Sequence, residues 1–148
     1  MKLVIQRVEH AEVKVDGAAV GSVGRGFLVL IGVAKGDNEK QAQKLAKKML
    51  GLRIFPDERG KINLSLSDVG GGLLVVSQFT LYADCRRGYR PGFEAAAEPA
   101  EAERLYEYFV GLCREGCPRV ETGVFGAHME VSLTNQGPFT IILEELPA

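Results

Sequence analysis

Cysteine and histidine are scarce in this 148-residue chain, three of the first and two of the second. The odd set Cys85, Cys113 and Cys117 does not suit a disulfide framework, so the thiols are expected to be reduced and partly buried, as in a cytosolic protein. Cys113 and Cys117 stand four apart, but no second Cys or His pair lies at metal-site spacing, and neither a metal nor another cofactor is expected. With only His10 and His128 available, a serine–histidine triad has few ways to form, and His128 reads as a surface residue at the entrance of a strand. Neither charge sign is in excess: 18 Lys and Arg face 19 Asp and Glu, for a formal net charge of −1. Nothing global therefore attracts a polyanion, and any nucleic-acid binding must come from a local patch. Long apolar runs are absent too; none approaches the roughly 18 residues of a membrane helix. The opening Met1-Lys2-Leu3-Val4-Ile5-Gln6-Arg7-Val8 meets charge too early for a secretory segment and reads as a strand. The expected location is the cytoplasm, with no membrane partner. Also missing are a Gly-x-Ser-x-Gly elbow, a P-loop, His-Glu-x-x-His, and Gly-x-Gly-x-x-Gly opening a helix.

What is present is enough for a core. Hydrophobic residues make up 46% and charged residues 25%, a globular composition at a length that fits one domain over 1–148. Val13-Lys14-Val15 alternates, and Asp16-Gly17 is a turn signal leading into 18–23. The continuous apolar run Phe27 to Val33 suits a strand buried on both faces. Gly36-Asp37-Asn38 offers a cap to a helix whose apolar stripe is Ala42, Leu45, Ala46, Met49 and Leu50. Lys40, Lys44, Lys47 and Lys48 beside that stripe read either as a solvated face or as a phosphate-steering patch. Pro56 to Gly60 and Gly70-Gly71-Gly72 are breaks; Ile62 to Leu66 and Leu73 to Leu81 read as strands. A second helix is expected from about Pro99 to Glu115, with Ala102, Leu105, Tyr106, Phe109, Leu112 and Cys113 inward and Gly116 and Pro118 as its stop. Two last strands follow, one carrying Met129, Val131 and Leu133, the other Phe139 to Leu143. Helices interrupt strands without regular βαβ alternation. The expected class is α+β: a mostly antiparallel sheet curled toward a barrel, with two inserted helices.

Three segments are candidates for chemistry. Ser77-Gln78-Phe79-Thr80-Leu81 places hydrogen-bonding side chains at a strand end, where a ligand meets side chains and free backbone N–H groups; alternatively Ser77 and Thr80 satisfy local backbone. Asn135-Gln136-Gly137-Pro138-Phe139-Thr140 reads as a hairpin turn, yet Gly-Pro is a dipeptide that tolerates a cis bond, and glycine admits close approach to the main chain. Tyr82 to Phe93 interleaves Arg86, Arg87 and Arg90 with aromatics on a Gly/Pro-rich loop, either a small RNA-contact surface or a salt-bridged surface loop. Composition and spacing alone stop at an α+β domain.

Together, Ser-Gln-x-x-Leu at 77–81 and Asn-x-Gly-Pro-x-Thr at 135–140 resemble the signature motifs of the D-aminoacyl-tRNA deacylase family. Flanking text is similar as well: Ile5-Gln6-Arg7-Val8, Gly51 to Phe55, Leu105 to Val110, and Thr122 to Met129. The resemblance implies an esterase that removes D-amino acids, and glycine, from aminoacyl-tRNA. It implies a homodimer with active sites at the subunit interface. Ser77, Gln78, Phe79 and Thr80 would form the catalytic segment of one subunit. The Gly137-Pro138 dipeptide of the other would exclude L side chains, with Arg7 holding it in place and Phe125 and Met129 lining the pocket. Arg86, Arg87 and Arg90 would contact tRNA. On this reading the terminal ribose 2′-hydroxyl or a water drives hydrolysis; Ser77 or Thr80 as nucleophile has no evident base. The rival reading is an RNA-binding module without activity.

Overall fold

The computed structural model describes residues 1–147. Strand β1 (Lys2–Val15) is the spine. Its buried Leu3, Ile5 and Arg7, and again Ala11 and Val13, follow the period of two that a pleated strand imposes, with Val8 buried out of step between the two runs. Asp16 and Gly17 both take positive φ, 51° and 80°, the backbone of a tight hairpin turn into β2 (Ala18–Val23). Strand β3 (Gly26–Gly32) returns along the first half of β1, and all its residues but Leu30 are buried.

Helix α1 (Glu39–Gly51) begins on a complete capping box: the Asn38 side chain accepts from the Lys40 N–H at 2.9 Å, and Gln41 Oε1 accepts from the Asn38 N–H at 2.7 Å. Asp37, in front of this cap, is buried: it accepts from the Ala34 N–H at 2.7 Å and pairs with the Met1 amine at 2.7 Å. Strands β4 (Arg53–Pro56) and β5 (Ile62–Ser65) form a separate hairpin. Then β6 (Gly72–Ser77) runs parallel to β3, α2 (Pro99–Gly116) crosses back, β7 (Val120–Thr122) lies parallel to β6, and β8 (Glu130–Glu144) pairs antiparallel with nearly all of β1.

The main sheet runs β2-β1-β3-β6-β7, with β8 also on β1. Its far ends meet: a Cβ on Gly21 of β2 would lie 2.3 Å from the Thr122 carbonyl oxygen of β7, so glycine is what lets the sheet curl nearly closed. One face of β3 and β6 (Phe27, Val29, Ile31, Leu73, Val75) packs with α1 and α2, and the other (Leu28, Leu74, Val76) with Val8, Val13 and Val23. Phe109 and Leu105 of α2 are fully buried, and truncating such a side chain typically costs about 2–5 kcal/mol.

Two expectations need correction. The strand expected over Leu73 to Leu81 ends at Ser77, and Phe79–Tyr82 is a short 3-10 turn. The two last strands are one, β8, so Asn135 to Thr140 is not a hairpin: both its flanks pair with β1 in the same sense. Strand β7, Val120–Thr122, is not among the expected strands: three residues are too few to show a period. The mostly antiparallel, barrel-like α+β class with two helices is as expected.

Candidate active site

Strand β6 is buried from Gly72 through Val76 and becomes half-exposed at Ser77. The Gln78 N–H still donates to the Ile31 carbonyl at 2.8 Å, after which the chain winds into the 3-10 turn closed by Leu81 N–H to Gln78 O at 3.2 Å and Ala83 N–H to Thr80 O at 3.0 Å. This turn sits against the end of β3 because residue 32 is glycine; a Cβ there would be 3.0 Å from the Leu81 Cβ. Phe79 opens the turn, so its N–H has no acceptor within the turn and is available to an incoming group. Gln78 Nε2 donates to Thr80 Oγ1.

Ser77, Gln78 and Phe79 form one wall of a cavity of about 560 Å³. Small residues just before and within the first turn of α2, Ala96, Ala97 and Ala102, leave the room for it, and Phe125 and Met129 also line it. The 123–129 loop is shaped by glycine: Gly126 takes φ 78°, and a Cβ on Gly123 would lie 2.6 Å from the Met129 Sδ. The Phe125 ring leans on Tyr106 with centroids 5.8 Å apart, and the Tyr106 hydroxyl donates to the Val75 carbonyl at 2.9 Å. Burial pushes the Tyr106 phenol up to about 12, which makes it a fixed structural donor near neutral pH. At the rim Phe79 and Phe93 meet edge to face at 5.1 Å.

Thr80 is exposed and does not line this cavity. The cavity's ionisable neighbours are His128 and Glu98; His128 is exposed, as a surface residue should be, but at the cavity mouth. Sequence reasoning did not single out Glu98, Ala96 or Ala97, and named Phe93 only as the end of the arginine loop and Ala102 only as part of a helix stripe. The only signal for them was the proximity of Gly/Pro-rich text to the start of a helix.

The Gly137-Pro138 dipeptide is held elsewhere. Gln6 pairs with Thr140 and Val8 with Asn135, so a single residue of β1, Arg7, stands opposite residues 136–139, a large bulge. The Gly137-Pro138 bond is cis and Gly137 has φ 140°. Arg7, 7% exposed, braces the bulge from beneath. Its Nε and Nη2 donate to the Gln136 carbonyl at 3.0 and 2.8 Å, its Nη1 donates to the Ile54 carbonyl of β4 at 2.7 Å, and the guanidinium lies 4.6 Å from the centre of the Phe139 ring. Burial, with the nearby Arg25, lowers the Arg7 pKa, but a guanidinium remains charged at any physiological pH. Asn135 closes the bulge from above: its Oδ1 accepts from the Phe139 N–H at 2.5 Å and its Nδ2 donates to Thr140 Oγ1 at 3.0 Å. Gly137 and Pro138 themselves are exposed. They are absent from the cavity lining, which β8 reaches only at Val131, up to roughly 20 Å back along an extended strand.

The expected site thus falls into separate parts within one chain. Ser77, Gln78, Phe79, Phe125 and Met129 come together; Arg7, Gly137 and Pro138 come together; the arginine loop is a third place. Asp84 and Gly92 exchange backbone bonds of 2.7 and 2.9 Å that close this loop. Arg86 binds Asp84 through Nε at 2.9 Å and Nη2 at 2.7 Å, holding the carboxyl down at about 2. Arg86 is therefore salt-bridged, while Arg87, Tyr89 and Arg90 stand exposed.

Residues 4–144 match the family model described as D-Tyr-tRNA(Tyr) deacylase. Among curated relatives, the D-aminoacyl-tRNA deacylase of Geotalea uraniireducens (strain Rf4) is 61% identical over 145 residues, 97% of this chain and 93% of the relative. That of Desulfatibacillum aliphaticivorans is 58% identical over 144 residues, 97% and 99%. A solved structure titled c-Myc DNA Unwinding Element Binding Protein superposes with TM-score 0.94 at 39% identity over 99% of both chains. A probable eukaryotic D-amino acid tRNA deacylase shares the fold at TM-score 0.83 and 18% identity, over 96% and 97% of the two chains. The chain belongs to the D-Tyr-tRNA(Tyr) deacylase family.

Proposed function

We propose that this protein is a D-aminoacyl-tRNA deacylase, hydrolysing the ester between a D-amino acid and the 3′ end of tRNA, in a homodimer whose active sites lie at the subunit interface. The observation that carries this reading is the exposed, doubly braced Gly137-Pro138 dipeptide, which lies outside its own chain's cavity. Such a projection suits insertion into the cavity of a second copy. There its main chain would face the Cα of the bound aminoacyl group and clash with an L side chain, while a D side chain points away. Glycine, with no side chain to exclude, should also be released from tRNA.

For the chemistry, Ser77 and Gln78 would orient the ester and the Phe79 N–H would stabilise the tetrahedral oxyanion. An aminoacyl ester is already activated, so a positioned water suffices as nucleophile: it would add to the carbonyl carbon, its proton would pass by way of the neighbouring ribose 2′-hydroxyl to the departing 3′-oxygen, and the ester C–O bond would break to leave the free amino acid and tRNA. Thr80 would set the Gln78 amide rather than attack. Arg87 and Arg90 have no ion pair among the described residues and would be available to phosphate. Arg86, as a tRNA contact, would first have to leave Asp84. Since charged tRNA is the substrate, the enzyme would act in the cytoplasm.

The decisive assay is hydrolysis of D-Tyr-tRNA beside L-Tyr-tRNA. Release from the D ester alone is the expected outcome, and no release from either sinks the reading. A substrate with a 2′-deoxy terminal adenosine separates the RNA-assisted route, which predicts loss of turnover, from attack by Ser77 or water. The solved structure named for DNA-unwinding-element binding and the exposed arginines favour a second reading, nucleic-acid binding alone, which predicts tRNA affinity without hydrolysis.

A further inference from the structure

A groove of about 660 Å³ lies between the C-terminal half of α1 and the end of β8. Lys44, Lys47, Lys48 and Arg53 line it, with Leu45, Leu52 and Leu143 as an apolar floor. Glu144 and Glu145 bound one side, where Lys44 pairs with Glu145 at 2.8 Å. Lys47 and Lys48 have no ion pair among the described residues. Arg53 donates to Asn63 through Nε at 2.8 Å and through Nη2, which fixes its guanidinium without neutralising it.

The charge is not spread evenly over the helical layer. Helix α1 carries four lysines against one glutamate, whereas its neighbour α2 carries four glutamates against two arginines. In a chain of net charge −1 this separation gives a long anion one favourable approach and one unfavourable one. A floor of leucine beneath exposed lysine ammonium groups suits a sugar–phosphate backbone better than a small anion, which would look for convergent donors.

We infer that this groove is a second contact for the RNA of the substrate, taking tRNA phosphates at a distance from the reacting ester. The inference rests on the deacylase reading above. On the interface arrangement proposed there, the groove belongs to the subunit that contributes the Gly137-Pro138 dipeptide. Leu143 lies six residues beyond Gly137 on β8, on the order of 20 Å along an extended strand. RNA whose 3′ end enters one subunit's cavity would therefore be steadied by α1 of the other.

The test is the double variant Lys47→Gln/Lys48→Gln, which keeps two good helix formers and removes two charges. Each phosphate contact contributes about 0.7–0.9 to the logarithmic salt slope, so the wild type should lose about tenfold more affinity for uncharged tRNA than the variant between 50 and 200 mM salt. The kcat/KM on D-Tyr-tRNA at low salt should fall by a similar factor, while hydrolysis of D-tyrosyl-adenosine, which has no RNA to reach the groove, keeps its rate. Lys14→Gln/Lys61→Gln removes the same charge elsewhere and should leave both tRNA readings within about twofold. An unchanged salt slope in the groove variant overturns the inference. So does an equal loss on D-tyrosyl-adenosine, and so does an equal effect on a duplex DNA of matched length, which would make the groove a general polyanion surface. Failure of the wild type on both D-tyrosyl substrates would instead sink the deacylase reading, while the tRNA-binding measurement still judges the groove.

Discussion

Replacing Arg7 by lysine keeps the charge and removes the fork. In the native chain the guanidinium spans two carbonyls, Ile54 at 2.7 Å and Gln136 at 3.0 and 2.8 Å. An ammonium on a single stem satisfies one of these at a time. Two charge-assisted bonds at about 1.5–3 kcal/mol each are lost. Water reaching the half-exposed Gln136 side recovers part of this, leaving a net loss of about 2–3 kcal/mol. For a chain of this size that lowers Tm by roughly 5–10 °C. The functional consequence should be larger than the thermal one, because the bulge at 136–139 loses its brace from beneath, and a shift of about 1 Å in a group that judges geometry changes rates up to about 100-fold. Single-turnover deacylation of D-Tyr-tRNA and L-Tyr-tRNA, run beside a melting curve, reads both effects. The ratio of D to L rates should fall at least about tenfold, with Arg59→Lys in the exposed 57–60 turn as the unaffected reference. If the melt shifts but the ratio holds, Arg7 supports the fold and not the proposed discrimination between D and L esters. If neither moves, the bracing argument is wrong.

Thr80→Ala should retain most of the deacylase rate, within about threefold, because only one neutral hydrogen bond to Gln78 is lost; abolition of turnover would restore Thr80 as the nucleophile. Thiol reagents at neutral pH should label one cysteine rapidly, the exposed Cys85, since Cys117 is buried and burial pushes the Cys113 thiol up to about 12; mass spectrometry locating early label on Cys113 would contradict this packing. Asp84 has its carboxyl depressed to about 2, first by the Arg86 side chain. The pairing therefore favours the closed loop above the ordinary carboxylate pKa and loses that effect as pH falls through about 2. Arg86→Gln should return the Asp84 titration, followed by NMR, toward its ordinary range, and an unmoved titration refutes the pairing.

Local chemistry made much of the fold legible. The turn at Asp16-Gly17, the Asn38 cap and the α2 stripe each depend on residues within one turn of one another, so periodicity and capping rules reach them. Val110, buried beside the expected stripe, only widens a face already assigned. What could not be read depends on distant partners. Asp37 looked like helix-cap text, but its pairing with the Met1 amine is made across the fold. Ser77 to Leu81 reads as a continuation of the strand, whereas the ladder with β3 ends at the Ile31–Ser77 pair, a boundary that lies with a partner distant in sequence. Asn-x-Gly-Pro is ordinary turn vocabulary, and nothing nearby in sequence says that β1 continues past it on the other side.

That last miss bears on the functional argument. A turn at the tip of a hairpin could bend toward its own cavity. A bulge embedded in β8 cannot, because pairing with β1 holds β8 on both sides of it, from Lys2–Glu144 to Gln6–Thr140 and from Val8–Asn135 to Lys14–Glu130. Carrying Gly137 into the cavity of the same chain would strip backbone hydrogen bonds from the central strand of the sheet, each about 0.5–1.5 kcal/mol net and more where the freed groups stay buried. Several such losses together exceed what one dipeptide could regain by contact. On the deacylase reading proposed above, the two signature motifs would meet at least cost between two copies of the chain, and the ladder that defeated the hairpin reading is the physical argument for testing an interface site.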